Sequence, residues 1–128
     1  MRYLLLMNYA EPAPGEIPEE AIKETQEAFG AYGRALHEAG VLVAGEVLTS
    51  QSSTTTLTLR RGSIEVQDGP FAETKEGLAG VFAIDVPDLD AALGWAEKCP
   101  GASYGLVEVR AAATSFVDGT WTDGCRLT

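Results

Sequence analysis

Positive charge is what this sequence has least of. Its 128 residues hold 9 Lys plus Arg and 1 His against 19 Asp plus Glu, a formal charge of −10 at pH 7. Such an excess repels phosphate backbones and anionic headgroups, and only Arg60-Arg61 sets two basic residues side by side. Direct binding to nucleic acid or to a membrane surface is therefore not expected. Cysteine is also scarce. Cys99 and Cys125 lie far apart, without the Cys-x-x-Cys or Cys-plus-His spacing of a zinc site, and read as two reduced thiols. Long apolar runs are missing: Leu4-Leu5-Leu6-Met7 is far too short for a signal sequence core or for a membrane span of ~20 residues. A cytoplasmic location is the expectation. No glycine-rich phosphate loop, HExxH, nucleophile elbow or dinucleotide fingerprint occurs, so no metal and no cofactor is expected.

What is present is the composition of a globular domain, 45% hydrophobic and 22% charged. The length fits a single domain over residues 1–128, with 111–128 as a C-terminal tail. Arg2 to Tyr9 reads as a strand that is central in its sheet and buried on both faces at Leu4 to Leu6. Pro18-Glu19-Glu20 suits a helix first turn, and Ile22, Phe29, Tyr32, Leu36 and Ala39 share one stripe before Gly40 ends the helix. Gly30 and Gly33 weaken that helix, which suggests close approach of another backbone or of a ligand. Val41 to Leu48 and Thr54 to Arg60 are strand candidates. In the latter Leu57 and Leu59 face a buried side, and Thr56, Thr58 and Arg60 face water. Arg61-Gly62 reads as a tight turn into Ser63 to Gln67, where Ile64 and Val66 alternate with Glu65. Val81 to Val86 is a further strand. Asp88 caps a second helix with Leu89, Ala92, Leu93, Ala96 and Cys99 on one face, and Tyr104 to Arg110 closes the set.

The order is βαββαβ with an added hairpin, an α+β pattern for which the ferredoxin-like arrangement is the leading solution. Both helices then cover one side of the sheet. The apolar content of its strands favours a second copy against the other side, which predicts a homodimer whose facing sheets enclose a cavity.

Reactive groups are densest in Asp68-Gly69-Pro70-Phe71-Ala72-Glu73-Thr74-Lys75-Glu76. Asp-Gly-Pro forms a turn by its own chemistry, with Phe71 as its anchor and Glu73, Lys75 and Glu76 in solvent. Placed at a strand end facing an enclosed cavity, Asp68 becomes a usable general base or acid through partial desolvation. Gly69, Pro70 and Phe71 would line that site, and Lys75 would hold an anionic group. Glu46, after Gly45, would face the same cavity or else be a surface carboxylate. Arg60 would neutralise an acidic ligand, or pair with Glu65 across the hairpin. Trp95 and Tyr104 read as core or interface groups. Trp121, in the tail, packs either on a partner or on its own protomer.

Residues 68–76 also carry a resemblance. DGPFAETKE is the signature of the DGPFAETKE family, part of the YCII-related (YciI-like) group, and all nine positions match. The likeness continues through Met1 to Met7, Ala39 to Glu46, Gly94 to Pro100 and Val107 to Arg110. It implies a ferredoxin-like protomer of the dimeric α+β barrel type with a ligand cavity between sheet and helices. Members resemble small bacterial cytoplasmic proteins of undetermined activity, some beside or fused to extracytoplasmic-function sigma factors, which implies a regulatory protein partner. Broader relatives are similar to enzymes that use a His and Asp pair, including for elimination of chloride from a chlorinated aromatic. Asp68 is the position that carries over. The histidine does not: His37 sits near the end of the first helix, whereas the YciI-like histidine falls near Ala28 or Phe29, so His37 reads as a solvated helix-end residue. Gly33 departs from the polar residue expected at that turn.

The expectation is thus a small-molecule-binding homodimer for an apolar or aromatic ligand. Asp68 serves a cofactor-free lyase, isomerase or hydrolase reaction. The alternative is a non-catalytic sensing or accessory module.

Overall fold

The structure, a computed structural model, describes residues 1–122. Its elements are β1 (Arg2–Tyr9), α1 (Glu19–Glu38), β2 (Leu42–Val47), β3 (Thr55–Arg60), β4 (Ser63–Asp68), β5 (Gly77–Asp85), α2 (Leu89–Lys98), β6 (Leu106–Ala111), β7 (Phe116–Val117) and β8 (Thr120–Trp121). Short 3-10 turns lie at Gln51–Ser53 and Pro100–Ser103. A four-stranded sheet runs in the order β2-β5-β1-β6 with antiparallel neighbours throughout. Each helix joins two strands that flank a third, which is the split βαβ arrangement of a ferredoxin-like α+β fold. The β3–β4 hairpin is inserted between β2 and β5 and forms a separate two-stranded sheet.

Strand periodicity decides what is buried. Tyr3, Leu5 and Met7 of β1 and Phe82 and Ile84 of β5 turn to one side and form the core. Phe29, Tyr32 and Leu36 of α1 and Ala92, Trp95 and Ala96 of α2 pack onto them. Each large side chain removed from water there contributes about 1.5–3 kcal/mol. Tyr32 ties the two helices together. Its hydroxyl donates to the Trp95 carbonyl at 2.8 Å and its ring meets Phe82 edge-on at 5.2 Å. Burial, helped by nearby Cys99, holds that phenol well above its ordinary pKa.

Helix ends follow local chemistry. α1 starts at Glu19, one residue later than the sequence suggested, with Pro18 as the residue before it. At the other end Gly40 takes φ +73°, its N–H bonds the His37 carbonyl at 3.0 Å, and the Val41 N–H bonds the Leu36 carbonyl at 3.2 Å. This is a Schellman stop, satisfying carbonyls the helix leaves open. His37 is exposed in the last turn, as expected of a helix-end residue. Asp88 caps α2 by accepting the Ala91 N–H at 2.9 Å.

Several expectations are corrected. Leu4 and Leu6 are half-buried, because the helices cover only the opposite face of β1. Ile22 is 46% exposed, since the N-terminal part of α1 lies beyond the core cluster that Phe29, Tyr32 and Leu36 join. Gly33 has no atom within 4 Å of where a Cβ would stand, and Gly30 would meet only the flexible Arg34 guanidinium, so no other backbone approaches closely at either position. The buried side assigned to Leu57 and Leu59 is open: they and their cross-strand partners Val66 and Ile64 are each 63–64% exposed, and Thr56 and Thr58 are the half-buried positions. In the tail, Asp118 (φ 52°) and Gly119 (φ 80°) turn β7 into β8, and Trp121 packs on Phe116 of its own chain at 5.2 Å. Cys99 is buried with its Sγ 3.4 Å from the Met7 sulfur, and Cys125 lies outside the described residues. No helix among the described residues is long and apolar enough to cross a membrane.

Candidate functional site

The segment 68–76 leaves β4 and leads into β5. Gly69 takes φ +103°, a conformation that requires glycine, and its N–H donates to the Thr54 carbonyl at 2.6 Å. The Thr56 hydroxyl donates to the Gly69 carbonyl at 2.9 Å, and the Gln67 amide donates to the Pro70 carbonyl at 3.0 Å. The turn is therefore held by its neighbours' side chains. Phe71 does not anchor it, being 80% exposed. Further on, the Thr74 hydroxyl donates to the Glu76 carbonyl at 2.7 Å.

Facing this segment is the 3-10 turn at Gln51–Ser53, fixed by a residue forty positions away in sequence. Glu11 accepts the Ser50 hydroxyl and the Gln51 N–H, each at 2.7 Å. The Ser50 bond, then the Gln51 bond, lowers the Glu11 pKa from its ordinary value. Pro70, Glu73, Thr74 and Lys75 close over Glu11 and Gln51 to leave a cleft of about 250 Å³. Two carboxylates, Glu11 and Glu73, outnumber the Lys75 ammonium there, so the cleft suits neutral polar groups better than an anion.

Asp68 ends β4 opposite Thr55 and is exposed. By strand alternation it shares a face with the cross-strand pairs Leu57–Val66 and Leu59–Ile64. Its carboxylate makes no hydrogen bond or ion pair among the described residues. Glu46 stands on the uncovered face of the four-stranded sheet, opposite Val81 in β2–β5 pairing. Arg60 is exposed and faces Ser63 across the hairpin, while Glu65 faces Thr58, so the Arg60–Glu65 cross-strand pair does not form. Pro70 and Lys75 thus share a cleft, whereas Asp68, Glu46 and Arg60 lie on separate surfaces of the single chain. Among the described residues no group of three or more His, Cys, Asp or Glu converges as a metal site.

One cavity went unread in the sequence. An apolar cleft of about 460 Å³ lies between the end of β1 and the start of α1, lined by Tyr9, Ile17, Ile22, Gln26 and Tyr104 among others. Tyr9 and Tyr104 meet edge-on at 5.4 Å, and burial raises the Tyr104 pKa. Its sequence signal was Ile22, apolar and on the helix stripe beyond the last residue the core can cover. Trp95 packs on the core, and Lys98 Nζ sits 4.9 Å above its ring.

A ferredoxin-like α+β sheet with helices on one face and a polar turn at 68–76 defines the class. Within it, residues 1–114 match the YCII-related domain, and the chain belongs to that family. Over 115 residues it is 36% identical to an uncharacterized protein of Rhizobium meliloti (strain 1021), a match covering 88% of this chain and 93% of that protein.

Proposed function

We propose that the protein is a small-molecule-binding homodimer that performs cofactor-free acid-base chemistry, of lyase, isomerase or hydrolase type, through Asp68. The observation that carries this reading is the state of the Asp68 carboxylate. The backbone on either side of it is pinned by bonds from Thr56, Gln67 and the Gly69 N–H, yet the carboxylate itself has no partner among the described residues. A general base needs such a placement, fixed in position and free to take a proton. Glu11, by contrast, is committed to Ser50 and Gln51. Pro70, Phe71 and Lys75 present the ligand-binding surface beside it, with Gly69 giving close access, and Glu46 and Arg60 contribute across the assembled dimer.

The test begins with a thermal-shift screen of neutral and halogenated aromatic compounds, followed by turnover assays on those that bind. Asp68→Asn should lower kcat at least ~100-fold, the scale of a lost general base, while leaving ligand affinity and mass unchanged. Unchanged turnover in that variant sinks the reading. A second reading, a non-catalytic accessory module acting on a regulatory protein such as a sigma factor, is favoured by Phe71, an 80% exposed aromatic at a rigid turn. Binding of a purified sigma factor that is lost in Phe71→Ala would support it.

A further inference from the structure

The apolar cleft between the end of β1 and the start of α1 has no task in the chemistry assigned to Asp68. Its volume of about 460 Å³ is that of a small-molecule pocket, and none of the residues lining it is charged. In a chain of net charge −10 an uncharged concavity is itself selective, because an anion entering it loses hydration and gains no cation. One side of the cleft is aromatic. Tyr9 and Tyr104 meet edge-on at 5.4 Å, and a Cβ on Gly105 would overlap the Asn8 carbonyl, so the backbone beside Tyr104 lies tight against the end of β1. The other side is aliphatic, with Ile17 39% and Ile22 46% exposed. The connection that carries Ile17 is itself tied down: the Glu16 carboxylate accepts the Ala13 N–H at 2.6 Å, and the Glu16 N–H donates to the Ala13 carbonyl at 2.9 Å. Little ordering is then left for a ligand to impose.

Hydrogen-bonding capacity remains in the same walls. The Thr25 hydroxyl is committed to the Ala21 carbonyl at 2.9 Å, whereas the Tyr9 and Tyr104 hydroxyls and the Gln26 side-chain amide make no hydrogen bond among the described residues. We propose that this cleft is a second ligand site, distinct from the one at 68–76, and that it takes a neutral, flat aromatic molecule carrying one polar group of the carboxamide kind. The ring system lies between the tyrosine pair and the two isoleucines, and Gln26 both donates to and accepts from the polar group. The two sites share only a wall. Ala10 and Pro12 line the apolar cleft, and Glu11 between them lines the other. Nothing in this assignment uses the Asp68 carboxylate.

The chain has four isoleucines, Ile17, Ile22, Ile64 and Ile84, which makes methyl NMR of the full protein a direct test. Ile17 and Ile22 line the cleft, Ile64 stands on the β3–β4 hairpin and Ile84 is in the core. Titrated with 2-naphthamide, the Ile17 and Ile22 methyls should shift with a dissociation constant of about 1 mM or tighter, and Ile64 and Ile84 should not. The isosteric anion 2-naphthoate should bind at least ~10-fold more weakly, for want of a cation. Ile22→Glu, at a half-exposed helix position, should weaken 2-naphthamide at least ~10-fold with unchanged circular dichroism, Ile17 still reporting. Gln26→Leu, which loses only the amide, should weaken it ~3–10-fold. Failure of the Ile17 and Ile22 methyls to shift, or wild-type affinity in both variants, overturns the inference. Equal binding of 2-naphthoate overturns the ligand class. Asp68→Asn should bind 2-naphthamide as the wild type does, whatever its turnover; a loss of binding there would merge the two sites and overturn the inference as well.

Discussion

Glu11 shows how one exposed carboxylate can shape a site without sitting in any motif. Two hydrogen bonds from the 50–51 backbone and side chain lower its pKa in the folded protein below the 4.5 of a free glutamate, so the unfolded chain binds the proton more readily. Its contribution is therefore fully present above pH 4.5 and is lost as pH falls through the lower, folded value. Hydrogen exchange should show the protection of the Gln51 amide falling in that acid window, and Glu11→Gln should remove the pH dependence while weakening protection at all pH values. Cys99 makes the opposite case. Burial raises its thiol pKa, against which bonds from the Gly101 and Ala102 N–H groups act in part. Little thiolate exists at neutral pH, so in a Cys125→Ser background alkylation by iodoacetamide at pH 7.5 should be slow until denaturant unfolds the chain. None of the Glu11 chemistry was legible in the sequence. Glu11 lies in a Pro-rich connection forty residues from Ser50, and side-chain pairs at that separation leave no local pattern.

Elements were legible where burial and periodicity agree. β1, α1, β2 and α2 stand within a residue or so of where spacing and capping place them, because their apolar residues face a core that exists within the chain. β5 begins four residues before the Val81 that marks it in sequence, at Gly77, because its first turn of strand is glycine-rich for a steric reason. A Cβ on Gly77 would strike the Gln51 side chain, and one on Gly80 would come within 2.9 Å of the Glu46 carbonyl. Apolar alternation also gave the hairpin correctly as strands but its apolar face wrongly as buried, since the pattern does not say which molecule covers it. Two glycines test this logic at the level of the element. A Cβ on Gly45 would lie 2.7 Å from the Phe82 ring, so Gly45→Ala should destabilise the fold by about 1–3 kcal/mol. Gly33→Ala, with no atom within 4 Å and an α-helical neighbourhood on both sides, should stabilise it by about 0.5–1 kcal/mol. Urea titrations of both variants give the two signs directly.

At the scale of the whole molecule, the charge of −10 and the exposed apolar ladder pull in opposite directions. The charge sets single chains to repel one another, and five of its carboxylates, Glu16, Glu19, Glu20, Glu24 and Glu27, crowd the start of α1, where Glu19 and Glu20 also favour the helix dipole. The ladder is uncharged, so a dimer formed through it would be held by apolar contact. Association between two chains of like charge through an apolar contact must strengthen as salt screens the repulsion, the reverse of an interface built from ion pairs. At 20 mM salt the Debye length is about 20 Å, comparable to the size of the protomer, and at 0.3 M it falls to about 6 Å, so most of the repulsion between chains is removed. The dimer dissociation constant measured by sedimentation should fall severalfold between those two conditions. A constant that rises with salt would mean that charged rim groups such as Arg110 and Glu108, and not Leu57, Leu59, Ile64 and Val66, hold the two chains together.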